Sequence, residues 1–288
     1  MLRKLFPCRV LKPKWVVATA FAGALIFFLQ PAGVAMLLRK HRPQTPKGLP
    51  GQVTRLAMQL DGVRLYNAGK IPSQVQTLVL NSLSAWLRKN ANSNSPSPYS
   101  LDVRARMQLE NDFSGLRYPV FGKPAVFLRK WKDSEILGAG YTLGWSDFDR
   151  VNTVALYVIR AGKADLAAIT NFVPRTDIHY SFVPPSPSSD FRFIVYGNRL
   201  GKSQPRLTVA LYSFDGANLK TLWQRKNLYA GRLNVSPRTV TVTYLVENEY
   251  IQAVQQGQLP PRHEAIYQLT PQGLALETER EIPFSAGP

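Results

Sequence analysis

The chain has 288 residues, with 36 Lys and Arg against 18 Asp and Glu, a net charge of +18, and one cysteine. That length allows one or two domains with a real core, and a single cysteine excludes a disulfide framework and any cysteine-based metal site. Residues 1–38 hold five of the basic side chains and no acid, which leaves 31 against 18, a net of +13, from residue 39 onward. The body itself therefore favours anionic surfaces such as lipid head groups or acidic polysaccharide.

Residues 15–38 contain no charged side chain, with Arg3, Lys4, Arg9, Lys12 and Lys14 before them and Arg39, Lys40 and Arg42 after. A bilayer core takes about 20 apolar residues as a helix, so the run is long enough to span one. Gln30 and Pro31 interrupt it, and a proline kinks or ends a helix. The same interruption fits a signal peptide, with residues 16–29 as its apolar region and cleavage after Ala35. The sequence predicts a basic tail over residues 1–14, then a transmembrane anchor or signal peptide over 15–38. The flanking charges favour a cytoplasmic N-terminus and a body outside the cytoplasm. That means a bacterial-type inner membrane, or secretion if the leader is cut. Cys8 precedes the apolar run, so it is not a lipobox cysteine.

Residues 39–51 carry Pro43, Pro46, Gly48, Pro50 and Gly51 and predict a linker. Residues 52–98 are expected to form a hairpin–helix unit ending in a polar linker. In it, Thr54, Leu56, Met58 and Leu60 alternate with Arg55, Ala57 and Gln59, and Asp61-Gly62 supplies a tight turn, which predicts a β-hairpin over 53–66. Val75, Leu78, Val79, Leu83 and Trp86 follow the helical period and predict an amphipathic helix over 73–89, capped by Ser73. Residues 90–98, Asn-Ala-Asn-Ser-Asn-Ser-Pro-Ser-Pro, are a low-complexity polar stretch and the best internal boundary.

Residues 99–288 are expected to form a β-rich domain. Leu101, Val103, Ala105, Met107 and Leu109 alternate with polar residues and predict its first strand. Further strands are predicted over 125–131, 136–145, 151–160, 164–173, 179–183, 191–196, 207–214, 219–224, 233–235, 239–246, 265–269 and 274–281. A short helix is predicted over 247–256. The expected fold is mainly β, an antiparallel sandwich or partial propeller-like sheets, with one amphipathic helix and the N-terminal transmembrane or signal helix.

Few motifs carry chemistry. Residues 197–203 resemble a P-loop but have three residues between the glycines instead of four, and lead into a strand rather than a helix. What remains is three cations around one turn, Arg199, Lys202 and Arg206, able to hold a sulfate or phosphate. The glycines from Gly138 to Gly144 lack dinucleotide spacing and predict bulges or tight packing. Asp147 and Asp149 lack the remaining positions of a calcium loop. His179 and His263, with those two aspartates, are the candidates for the alternative of a β-scaffold hydrolase or metal-dependent enzyme. No HExxH and no nucleophile elbow is present, so no metal site and no cofactor is expected. The favoured expectation is a membrane-anchored exported binding or structural module of the cell envelope. Its partners would be membrane lipid through residues 15–38 and an anionic envelope component or protein. No nucleic acid is expected, because dense Lys/Arg clustering is confined to residues 39–47.

Overall fold

Spacing by fours, rather than by twos, builds the helical part that comes first in this fold. The computed structural model describes residues 48–59, 70–92, 97–116, 118, 120–144, 151–172, 177–184, 190–199 and 203–282. All of these belong to one unit, residues 46–288. The transmembrane or signal helix expected over 15–38 and the turn at Asp61-Gly62 lie outside the described residues. No helix among the described residues is long and apolar enough to cross a membrane.

Helix α1 (Gly48–Met58) stands where the first strand of a hairpin was expected. Leu49, Val53, Leu56 and Ala57 recur at helical spacing and pack into the core, whereas Met58, counted as apolar partner in the alternation, is exposed. The Thr54 hydroxyl donates to the Pro50 carbonyl at 2.7 Å, tying the first turns together. Helix α2 (Ile71–Asn90) is the amphipathic helix the sequence predicted, with Val75, Val79, Leu83 and Leu87 fully buried along one stripe. Each such side chain contributes about 1.5–3 kcal/mol by leaving water. Ser73 is not its cap. The N-cap is Lys70, without a side-chain bond, and Pro72 in the first turn sets the backbone instead.

Helix α3 (Leu101–Ser114) replaces the strand expected at residue 101. Its buried residues are Leu101, Ala105, Leu109 and Phe113. Steps of four satisfy both a period of two and a helix. The positions that decide are Val103, half-buried, and Met107, 50 % exposed, which a one-faced strand would have buried with the others. Leu87 and Leu101 belong to one apolar cluster, so the polar stretch at 90–98 joins two helices of one core rather than dividing two.

The rest is β. Strands β1 (Val120–Trp131), β2 (Ser134–Leu143), β3 (Val151–Arg160) and β4 (Lys163–Phe172) form a four-stranded antiparallel sheet in chain order. Strands β5 (His179–Phe182), β6 (Phe191–Arg199), β7 (Arg206–Phe214), β8 (Leu219–Val235), β9 (Thr239–Leu245), β10 (Arg262–Thr270) and β11 (Gly273–Ile282) form a seven-stranded antiparallel one. Helix α4 (Glu247–Gln255) links β9 to β10. The protein is thus mainly β, in two antiparallel sheets, with four helices among the described residues.

The first sheet is covered on both faces. Leu137, Ala139, Tyr141, Ala155 and Tyr157 face the helices, and Gln76 of α2 donates to Thr153 Oγ1 at 2.9 Å and Asn171 Oδ1 at 2.8 Å. Ile136, Val154 and Leu156 face the second sheet, against Phe193, Val195 and Phe214. Gly138 and Gly140 lie on that inner face. A Cβ at Gly138 would stand 2.0 Å from the Phe127 ring, and one at Gly140 2.4 Å from the Tyr180 hydroxyl. The glycine-rich stretch is therefore tight packing between sheets, which makes room for aromatic rings.

The second sheet rolls over on itself. Strand β8 pairs with β7 through Leu219–Tyr229 and with β9 through Tyr229–Val235, with a register break between Tyr229 and Arg232. Asn227 and Ala230 take φ of 57° and 47° at that bend. Ile194, Val209 and Leu211 thereby meet Val240, Val242, Ala265 and Tyr267 in a third core. The expected strands at 219–224 and 233–235 are the two halves of this one bent strand.

Candidate anion-binding cavity

Between the turn joining β1 to β2 and the start of β6 lies a cavity of about 430 Å³. Its lining is half cationic: Arg129, Lys130, Lys132 and Arg192. The other half is apolar: Trp131, Phe182, Val183 and Phe191. No acidic side chain lines it among the described residues.

Each wall follows from local sequence. Trp131 pairs with Ser134 across the turn, and Ser134 Oγ donates back to the Trp131 carbonyl at 2.9 Å. Lys132 occupies the turn at φ 52°, a left-handed conformation that a residue with a Cβ rarely adopts. Its Nζ lies 4.3 Å from the centroid of the Trp131 ring, and the Arg129 guanidinium lies 4.3 Å from that of Phe182. Both cations are thus held over aromatic faces. Phe127, seated in the space left by Gly138, backs the wall, with its ring 5.0 Å from Phe182 and 6.0 Å from Phe191.

Arg192 is the buried cation, 5 % exposed. Its Nη1 donates to the Thr270 carbonyl at 2.7 Å and its Nη2 to the Pro271 carbonyl, across the rolled sheet. Its Nε is buried and has no hydrogen-bond partner among the described residues. Burial pushes its pKa down, and the Asp190 carboxylate opposes that. A guanidinium stays charged through such a shift, so a fixed positive charge sits in the cavity wall. Asp133 and Glu135 lie on the other side of the turn, where with Lys130 and Lys132 they line a shallower hollow of about 640 Å³.

The residues singled out from the sequence are disposed differently. Arg206 gives both Nη groups to Glu247, at 2.8 and 2.5 Å, and lies over the Tyr229 ring. That bond holds the Glu247 carboxyl below the usual carboxylate range. Arg199 stands opposite Arg206 in the β6–β7 register, and Lys202 lies outside the described residues. One of the three expected anion-binding cations is therefore already matched by a carboxylate. His179 Nε2 is 2.9 Å from Asp177, and His263 Nε2 is 2.7 Å from Glu249. Four strands separate β5 from β10 in the sheet order, and each histidine has its own carboxylate. Asp147 and Asp149 lie outside the described residues. No group of three His, Cys, Asp or Glu side chains that could hold a metal occurs among the described residues.

Sequence reasoning missed Arg129, Lys130, Lys132 and Arg192 as a site. A signal existed in Arg129-Lys130-Trp131-Lys132, three cations around a tryptophan at a turn. Nothing in the chain order joins that turn to Phe182 or Arg192. Comparison with protein-family models, curated proteins and solved structures finds no match to this chain.

Proposed function

We propose that this protein is a binding module of the cell envelope, exported and held at the membrane by residues 15–38, whose β-rich body engages an anionic component there. The observation that carries the reading is the cavity at the β1–β2 turn, whose lining among the described residues is four cations and four apolar residues without an acid. The body's excess of basic residues adds a long-range attraction for the same class of partner. Uncharged residues 15–38 supply the anchor.

Two variants on one preparation test it. Deleting residues 1–38 should release the body from the membrane fraction, and retention unchanged by the deletion would remove the anchor. Full-length Lys130→Glu/Lys132→Glu should elute from immobilised dextran sulfate at lower salt than the parent, because charge pairing with a polyanion is screened by salt. Identical elution would detach the turn from the proposed contact.

A further inference from the structure

We infer that helix α4 and the loop after it rest in the surface of the bilayer, so that the β1–β2 cavity points away from the membrane. This rests on the anchor reading above and gives it an orientation. Residues 250–261, Tyr-Ile-Gln-Ala-Val-Gln-Gln-Gly-Gln-Leu-Pro-Pro, carry no charge in a chain of net +18. Within them Ile251, Val254 and Leu259 are 45, 55 and 68 % exposed. No other nine-residue window among the described residues holds more than two exposed large hydrophobic side chains. The helix has its own inward face: the Tyr250 ring lies 5.2 Å from Tyr229, and Ala253 is buried. Ile251 and Val254 stand one position on from these two and so turn to solvent. Gly257, at φ 66°, ends the helix, and the Gln258 N–H donates to the Ala253 carbonyl at 2.8 Å, folding the loop back on the last turn. An uncharged cluster of exposed apolar side chains marks a contact with a partner or a membrane.

The place where the chain enters the body says that the partner is lipid. Helix α1 begins at Gly48, ten residues after the last of the uncharged run, so its start stays within about 35 Å of the bilayer. That start and α4 lie at one end of the body. A Cβ at Gly115, just past α3, would stand 3.1 Å from Pro50 of α1. Phe113 of α3 meets Tyr141 of β2 edge-on at 5.5 Å, and Gly140 beside it faces Ile178 and Tyr180 at the start of β5. Strand β5 pairs with the later half of β6, whose Arg199 stands opposite Arg206, the residue that holds Glu247 of α4. The cavity is at the other end, where Trp131 meets Phe214 at 5.7 Å. The ten residues of β2 separate the two ends by about 30 Å. An anionic partner of the cavity is then met away from the head groups beneath α4.

Fluorescence quenching of the full-length protein in phosphatidylcholine discs tests this. In a Cys8→Ser background, Leu259→Cys and Ala217→Cys each carry an NBD label, and the discs are made with and without doxyl-labelled phosphatidylcholine. The expected result is about a twofold loss of the Leu259→Cys signal, as for a side chain at the headgroup–acyl boundary. Ala217→Cys, next to Gly216 at the Trp131 end, should lose none. The loss should persist in about 1 M salt, which screens a contact made by charge. Adding Ile251→Glu/Val254→Glu should abolish it with an unchanged melting curve. Equal signals at the two positions, a loss at Ala217→Cys alone, or a loss that salt removes overturns the orientation and leaves the anchor standing. Quenching that survives the double substitution overturns the assignment to α4, because the label alone would then be entering the lipid. Protein that does not co-purify with the discs overturns the anchor reading, and this inference with it.

Discussion

Two hairpin ends of this protein gather positive charge, and they do so in opposite ways. At the β6–β7 end Arg206 lies against Tyr229 and gives both Nη groups to Glu247, brought there by the helix that follows β9. At the β1–β2 end Arg129, Lys130 and Lys132 meet Arg192 around an apolar wall that no acid lines among the described residues. The first arrangement closes its charge internally. The second leaves charge facing a cavity. The contrast teaches that a run of cations in a chain is not yet a site, because the neutralising partner, present or missing, comes from residues far away in sequence.

That contrast can be broken or sharpened by substitution. The largest effect is expected from Gly138→Ala. The new methyl would collide with Phe127, the ring that backs the cavity wall. Overpacking of this kind costs about 3 kcal/mol, read by denaturant unfolding, and a loss near zero would mean that the inter-sheet packing is not as tight as described. Glu247→Gln should come next. It frees Arg206 and should raise the salt needed to elute the protein from dextran sulfate, making the β6–β7 end resemble the β1–β2 end. Unchanged elution would show that the carboxylate is not what distinguishes them.

Acid should imitate that substitution. The folded pKa of Glu247 is depressed by Arg206, so its pairing contributes stability above the ordinary glutamate value of about 4.3 and loses it as pH falls through the depressed one. Polyanion binding at the β6–β7 end should therefore appear only at acid pH, while the cavity, lined by no carboxylate among the described residues, keeps its affinity. Asp215 provides an independent mark on the same scan. The backbone N–H groups of Asn218 and Ala217 hold its carboxyl down to about 2 from 3.8, so the stability gap between the parent and Asp215→Ala should be full above about pH 4 and close toward about pH 2. A gap that persists at pH 2 would contradict it. The smallest effect is Lys132→Gly. Glycine accepts φ 52° without strain, so the variant should gain about 0.5–1 kcal/mol in unfolding while losing anion affinity.

Much of the β architecture was legible in the chain. Alternation and turn residues located the strands from residue 120 onward, and the glycines at 138 and 140 announced close packing before the rings they admit were known. Leu101, Ala105 and Leu109 misled because a spacing of four is also a multiple of two, and the exposure of Val103 and Met107 separates the readings. Residues 53–58 misled in the same way, where Val53 with Leu56 and Ala57 outweighs the alternation of Thr54, Leu56 and Met58. The cavity was half legible. The turn segment from Arg129 to Lys132 can be read in line, whereas Arg192 comes from β6 in the other sheet and is held by the carbonyls of Thr270 and Pro271. Arg206 was legible as a cation and illegible as a paired one, since Glu247 lies 41 positions away.

The difference between the two cation clusters is tested most directly by hydrogen-exchange mass spectrometry of the full-length protein with and without a short dextran sulfate. Slowed exchange in peptides covering residues 129–134 and 181–193, with none in peptides covering 203–210, is the predicted footprint. Protection confined to residues 203–210, or no protection at the β1–β2 turn under saturating ligand, would contradict it.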